Sequence, residues 1–239
     1  DKLPTYRGHH EQNMALTGIA YARAKRRKQF FVATSSVGPG STNMVTASAV
    51  AMSNRRPILF LPGDTYANRM PDPVLQQVEH FNNPGITQND AFKPVTKYFD
   101  RITRPEQILQ TLPQAIQTML DPADCGPACL SLSQDVQGET YEYPEEFFKV
   151  RVHNIRRPRP DDFQIKQAAE LIKKSKNPLL ISGGGVFYSD AMEDLSNFAI
   201  KHNIPVTQTV MGYSTMKRDH SHFLGPIGCL LYTSPSPRD

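Results

Sequence analysis

Short, continuously apolar runs recur along this chain, each bounded by turn residues and separated from the next by helical patterning: Gln29–Ser35, Pro57–Pro62, Pro127–Leu132, Pro178–Ser182 and Ile204–Gln208. None alternates apolar with polar residues, and none carries the 3.6-residue period of a helix. Strands of that kind are buried on both faces, so they belong in parallel sheets whose crossover helices cover each side. The predicted fold is therefore α/β, a doubly wound parallel sheet followed by a second, truncated α/β domain. With 239 residues, 38% of them hydrophobic, the chain has material for two such cores.

Read along its length, the chain predicts a first domain over 1–135, an extended linker over 136–160 ending in Arg156-Arg-Pro-Arg-Pro160, and a truncated central domain over 161–228. A helix over Met14–Ala24 ends in the basic run Arg23 to Lys28, where cations complement the negative end of the helix dipole. A second helix spans Ser41–Asn54. A third starts at Pro105, with Ile108, Leu112, Ala115, Ile116 and Met119 at helical spacing, and a fourth places Ile165, Ala168, Ala169 and Ile172 on one face. Residues 65–94 make a polar connection too long to be structureless without a function, a candidate active-site or interface loop. Residues 229–239 break the pattern and resemble adapter read-through, so they are set aside. The chain opens on Asp1 rather than Met, and the expectation is a fragment of a longer protein.

Charge is balanced, 27 basic against 23 acidic residues and spread out, which gives no nucleic-acid or membrane footprint. No apolar run reaches the ~20 residues of a spanning helix, so a cytoplasmic location is expected. Cys125 and Cys129 lack a second pair of Cys or His ligands, which argues for packed thiols rather than zinc.

Chemistry concentrates near the start. Glu11 stands between a strand-like Leu-Pro-Thr-Tyr lead and the first helix, where partial burial should raise its pKa and let it trade protons with a bound heteroaromatic ring. Gly38-Pro39-Gly40 follows a strand and opens a helix. Its proline fixes chain direction and its glycines admit a ligand close to the backbone. One of His9 and His10 is expected to pack while the other faces the cleft. Asp64, Asp72 and Glu79 are expected to cap turns and helices. Gly183-Gly-Gly185 lacks G-x-G-x-x-G spacing and is expected to form a tight turn, with a nucleotide-phosphate cradle as its alternative.

Three segments, taken in order, carry a resemblance: His10-Glu11-Gln12 opening a helix, Thr34 to Asn43, and Gly126 to Val136. Together they resemble the pyrimidine-binding domain of thiamine diphosphate enzymes of the acetolactate synthase type, followed by their central domain. Ala67 to Gln77 and Asn89 to Gln107 are similar to a ring-opening branch of that family, which takes a small-molecule cyclic dione in myo-inositol catabolism. The resemblance implies that the family's first strand and helix precede this chain. It implies thiamine diphosphate with Mg²⁺ as cofactors, the metal held by a Gly-Asp-Gly motif in a later domain. It gives Glu11 the catalytic role of sharing a proton with the aminopyrimidine ring, and places Gly38, Pro39, Gly40 and Asn43 at the pyrimidine end of the cleft. It also implies a homo-oligomer, because the cofactor lies between subunits, and an inactive fragment. Asn13 departs from the family's usual glycine. Acetolactate synthase or another thiamine enzyme, and a non-catalytic nucleotide-binding module, are the rival readings.

Overall fold

The computed structural model describes residues 3–70 and 75–228, so Asp72 and the adapter-like tail 229–239 lie outside the described residues. The chain divides between Arg156 and Arg157 into two compact units.

The first unit runs α1 (Glu11–Ala24), β1 (Val32–Ser35), α2 (Pro39–Thr42), α3 (Val45–Ser53), β2 (Leu59–Asp64), β3 (Tyr98–Ile102), α4 (Ile108–Leu120) and β4 (Ala128–Ser133). All neighbouring strands are parallel, in the order β1-β2-β4-β3. Successive side chains of a strand point to opposite faces, and the apolar runs divide accordingly. Ile58, Phe60 and Cys129 pack with Ala15 and Ile19 of α1 and Ala47 and Ala51 of α3. Leu59, Ala128 and Leu130 pack with Ala115 and Met119 of α4 on the other side. Two covered faces explain why β2 and β4 show no alternation, whereas the edge strand β1 leaves Val32 50% exposed.

Several expectations change. The Leu-Pro-Thr-Tyr lead forms no strand, although its Tyr6 ring stands edge-on to Phe31 at 6.3 Å, and His9 and His10 are both exposed. The helix expected over Ser41–Asn54 begins at Pro39 and is interrupted at Asn43 and Met44. Residues 136–156 belong to the first unit. They contain 3-10 turns at Val136–Gly138 and Glu145–Phe148, and the Tyr143 hydroxyl donates to the Pro105 carbonyl at 3.2 Å.

The second unit runs α5 (Asp162–Lys174), β5 (Leu180–Ser182), α6 (Gly184–Tyr188), α7 (Met192–His202), β6 (Val206–Gln208) and β7 (Phe223–Pro226), with a parallel sheet ordered β5-β6-β7. Asp161 caps α5 by accepting from the Gln164 amide at 2.8 Å. Ala199, Val206 and Met216 form its small core. The face of Ile165, Ala168, Ala169 and Ile172 is not part of it: no residue of α5 is buried, and Ile165 stays 50% exposed. Gly183 to Gly185 is not a tight turn either. Gly183 is extended, at φ −115°, and the next two glycines begin the five-residue α6, so no left-handed backbone required them. Among the described residues no helix is long and apolar enough to cross a membrane.

Candidate active site

The carboxyl ends of β1 and β2 carry the features the sequence singled out. Glu11 is the first residue of α1, following His10 in extended conformation, and no side chain caps that helix end. A carboxylate there meets the unpaired amides and positive dipole end of the helix. The turn after β1 reaches it from the other side. The Asn43 amide donates from Nδ2 to Glu11 Oε2 at 3.0 Å.

The glycines of the turn have distinct jobs. Gly38 has φ +74°, and a Cβ on it would collide with the Gln76 carbonyl oxygen, so both backbone conformation and close approach require glycine there. At Gly40 a Cβ would stand 2.5 Å from Ser36 Oγ and 3.5 Å from Glu11 Oε1, which makes it the floor beneath the carboxylate. Pro39 starts α2, where its missing N–H costs nothing. The Gly38 carbonyl accepts from the Thr42 amide at 3.1 Å and from the buried Ser41 hydroxyl at 3.0 Å, fixing the turn. Glu11, Gly38, Pro39, Gly40 and Asn43 are thus gathered into one place, while His9 and His10 stay on the exposed approach to it.

The electrostatics run opposite to the sequence expectation. The pKa of Glu11 is lowered, first by the hydrogen bond from Asn43, then by the backbone at the helix start, with burial opposing and His10 adding a small pull. The carboxylate is half-buried and Asn43 is exposed, so the pair is open to solvent and desolvation does not dominate.

A second charged group was missed. Asp64, expected to cap a turn, is fully buried at the end of β2. It accepts from Arg101 Nε at 2.8 Å and from the Ser131 hydroxyl. Arg101 also donates from Nη2 to Thr87 Oγ1 at 2.8 Å and pairs with Asp90 at 3.1 Å. The Asn89 amide donates to the Gly63 carbonyl at 2.9 Å and to Ser131 at 2.7 Å. These bonds tie the start of the long connection between β2 and β3 to its end. The signal in the sequence was an acid at the end of a buried apolar strand, where a lone charge is costly and therefore paired.

Comparison with known proteins then gives the class. The family model described as "Thiamine pyrophosphate enzyme, N-terminal TPP binding domain" matches residues 1–83, and "Thiamine pyrophosphate enzyme, central domain" matches residues 165–236. The chain belongs to the thiamine pyrophosphate enzyme family. It is similar to proteins named 3D-(3,5/4)-trihydroxycyclohexane-1,2-dione hydrolase: 52% identical over 226 residues to that of Clostridium tetani, covering 95% of this chain and 35% of the relative. The protein of that name from Halalkalibacterium halodurans is 50% identical, with 95% and 36% covered, and that from Listeria monocytogenes is 46% identical with the same coverage. The chain thus spans little more than a third of the length of these curated relatives.

Proposed function

We propose that this chain supplies the pyrimidine-binding and central portions of a thiamine diphosphate-dependent carbon–carbon hydrolase. The substrate would be 3D-(3,5/4)-trihydroxycyclohexane-1,2-dione, opened to 5-deoxy-glucuronate. The observation that carries this is the Glu11–Asn43 pair, 3.0 Å long, set over the Gly38–Gly40 turn. When bound, thiamine diphosphate supplies a nucleophilic carbon and an electron sink for breaking a bond beside a carbonyl.

The residues present fit its pyrimidine end. Asn43 holds Oε2 of Glu11, which leaves Oε1 above Gly40 to meet a ring nitrogen. Gly40 lets the turn close against Ser36 Oγ, where a Cβ would stand 2.5 Å away, and the bonded turn holds the Glu11–Asn43 pair in place. With its pKa lowered by Asn43, Glu11 stands as a hydrogen-bond acceptor. Enclosure by the ring and a second subunit would remove water and move its pKa upward, which is the direction a proton donor needs. A homo-oligomer in the cytoplasm is part of this reading.

Mg²⁺ does not fit here. Gly63-Asp64 is followed by Thr65, and Asp64 is occupied by Arg101 and Ser131. Among the described residues no group of three His, Cys, Asp or Glu is gathered to hold a metal ion. In this reading the metal would be held by the Gly-Asp-Gly motif that the family resemblance implies, which is not in this sequence.

The test is an assay of the full-length protein on the cyclic dione and on pyruvate, with and without thiamine diphosphate. Ring opening that needs the cofactor and falls ~10²–10⁴-fold in Glu11→Gln is the expected result. Normal turnover by Glu11→Gln, or pyruvate condensation with no attack on the dione, would sink it.

A further inference from the structure

Beyond the cofactor turn, the first unit holds a cavity of about 180 Å³ at the carboxyl end of β2, lined by Thr65, Tyr66, Arg69, Glu79, His80 and Phe81 among others. Its walls come from residues 65–70 and 75–86, within the connection whose two ends are clamped by Arg101. We propose that this cavity takes a small, neutral, polyhydroxylated carbonyl ring, its hydroxyls held by Thr65, Tyr66, Glu79 and His80 and its carbon face by Phe81. The proposal rests on the function above and identifies where that reaction's substrate is read.

Three observations support it. The cavity is smaller than the ~300–1,000 Å³ of sites for drug-sized ligands, which suits a single small ring. The lining sets one cation, Arg69, against one anion, Glu79, beside two hydroxyls and an imidazole. Such a mixture of donors and acceptors matches a ring bearing several hydroxyl groups. The position is also right. Thr65 directly follows the buried Asp64, and Gln76, three residues before Glu79, lies against Gly38 of the turn beside Glu11. Ligands of open parallel sheets bind at this edge, beyond the carboxyl ends of the strands.

The clamp explains how a surface connection can hold a shaped site. Asp64 and Thr87 flank the segment, and one guanidinium bonds both, at 2.8 Å each. Arg101 is thus a positioning residue, acting through the segment it closes.

The experiment is steady-state kinetics of the full-length protein, wild type against Glu79→Gln and His80→Ala, with thiamine diphosphate affinity measured separately by fluorescence titration. The expected result is a KM for the trihydroxylated dione raised about tenfold or more, as one lost charge-assisted hydrogen bond produces. Turnover number and cofactor affinity should stay near wild type. Cyclohexane-1,2-dione, which lacks the hydroxyls, should bind wild type and variants alike. An unchanged KM in both variants, or a loss confined to cofactor affinity, overturns the proposal. If wild type does not attack the dione at all, the proposed function fails by itself. The cavity is then judged by calorimetric titration of this chain with myo-inositol: saturable binding weakened by His80→Ala sustains it, and no binding overturns it.

Discussion

At the scale of single residues, the carboxylate of Glu11 works against a neutral amide rather than against burial. Its folded-state pKa lies below the unfolded value. The stabilisation from this contact is therefore present above the unfolded pKa and lost as pH falls through the lowered folded one. Titration followed by the side-chain carboxyl ¹³C shift should give a midpoint below 4.5, moving upward in Asn43→Ala. A midpoint indifferent to that substitution would mean that Asn43 does not set the charge of the site. The sequence made Glu11 and the glycine turn legible because an acid at a helix start and a Gly-Pro-Gly after a strand are local patterns. The direction of the pKa shift was not legible. It depends on Asn43, 32 residues away in sequence, whose amide reaches Glu11 at 3.0 Å on a solvent-open surface.

At the scale of elements, the clamp between β2 and β3 is the part most exposed to damage. Asp64 has no solvent contact and the Arg101 side chain is 22% exposed, so Arg101→Met leaves a buried carboxylate without its main partner. Breaking such a pair costs ~3–5 kcal/mol, measurable as a lower urea midpoint, and a change below ~1 kcal/mol would show that the pair is dispensable. Asp90, beside the clamp, gives a pH signature. Burial raises its pKa, but the Lys93 ammonium, the Thr87 amide and Arg101 outweigh it, so the net shift is downward. Its contribution is therefore full above the ordinary Asp value, about 3.9, and fades as pH drops through the lowered one. Asp90→Asn should flatten the acid limb of a stability-against-pH curve. Strands and the α4 face were readable because continuous burial and helical period leave marks on composition. The short β7 was not, since Phe223–Pro226 has only two apolar residues before Gly225 at φ +97°. The exposure of α5 was equally hidden, because an apolar stripe says what a helix can bury, not whether it does.

At the scale of the whole chain, residues 150–161 carry no regular structure, and Arg156 is exposed. Trypsin should cut early after Arg151 or Arg156, both exposed and followed by residues other than proline, whereas Arg157 and Arg159 precede proline. First cleavage after Arg23 of α1 or Arg101 of β3 instead would contradict the two-unit division. Burial pushes the Cys125 thiol up to about 11 and raises Cys129 well above its ordinary value. In a Cys229→Ser background, neither should react with Ellman's reagent at pH 8 until the chain unfolds. The strand β2 links these scales. Its neighbour Ile58 and its own Phe60 fill one core, Leu59 enters the other, Asp64 anchors the charged clamp, and Thr65 just beyond begins the cavity wall. No part of this half can therefore loosen along that strand without the others. In hydrogen–deuterium exchange, the amides of Phe60, Leu61 and Leu130 should form one slow, synchronous class that shifts together when any of the four roles is weakened.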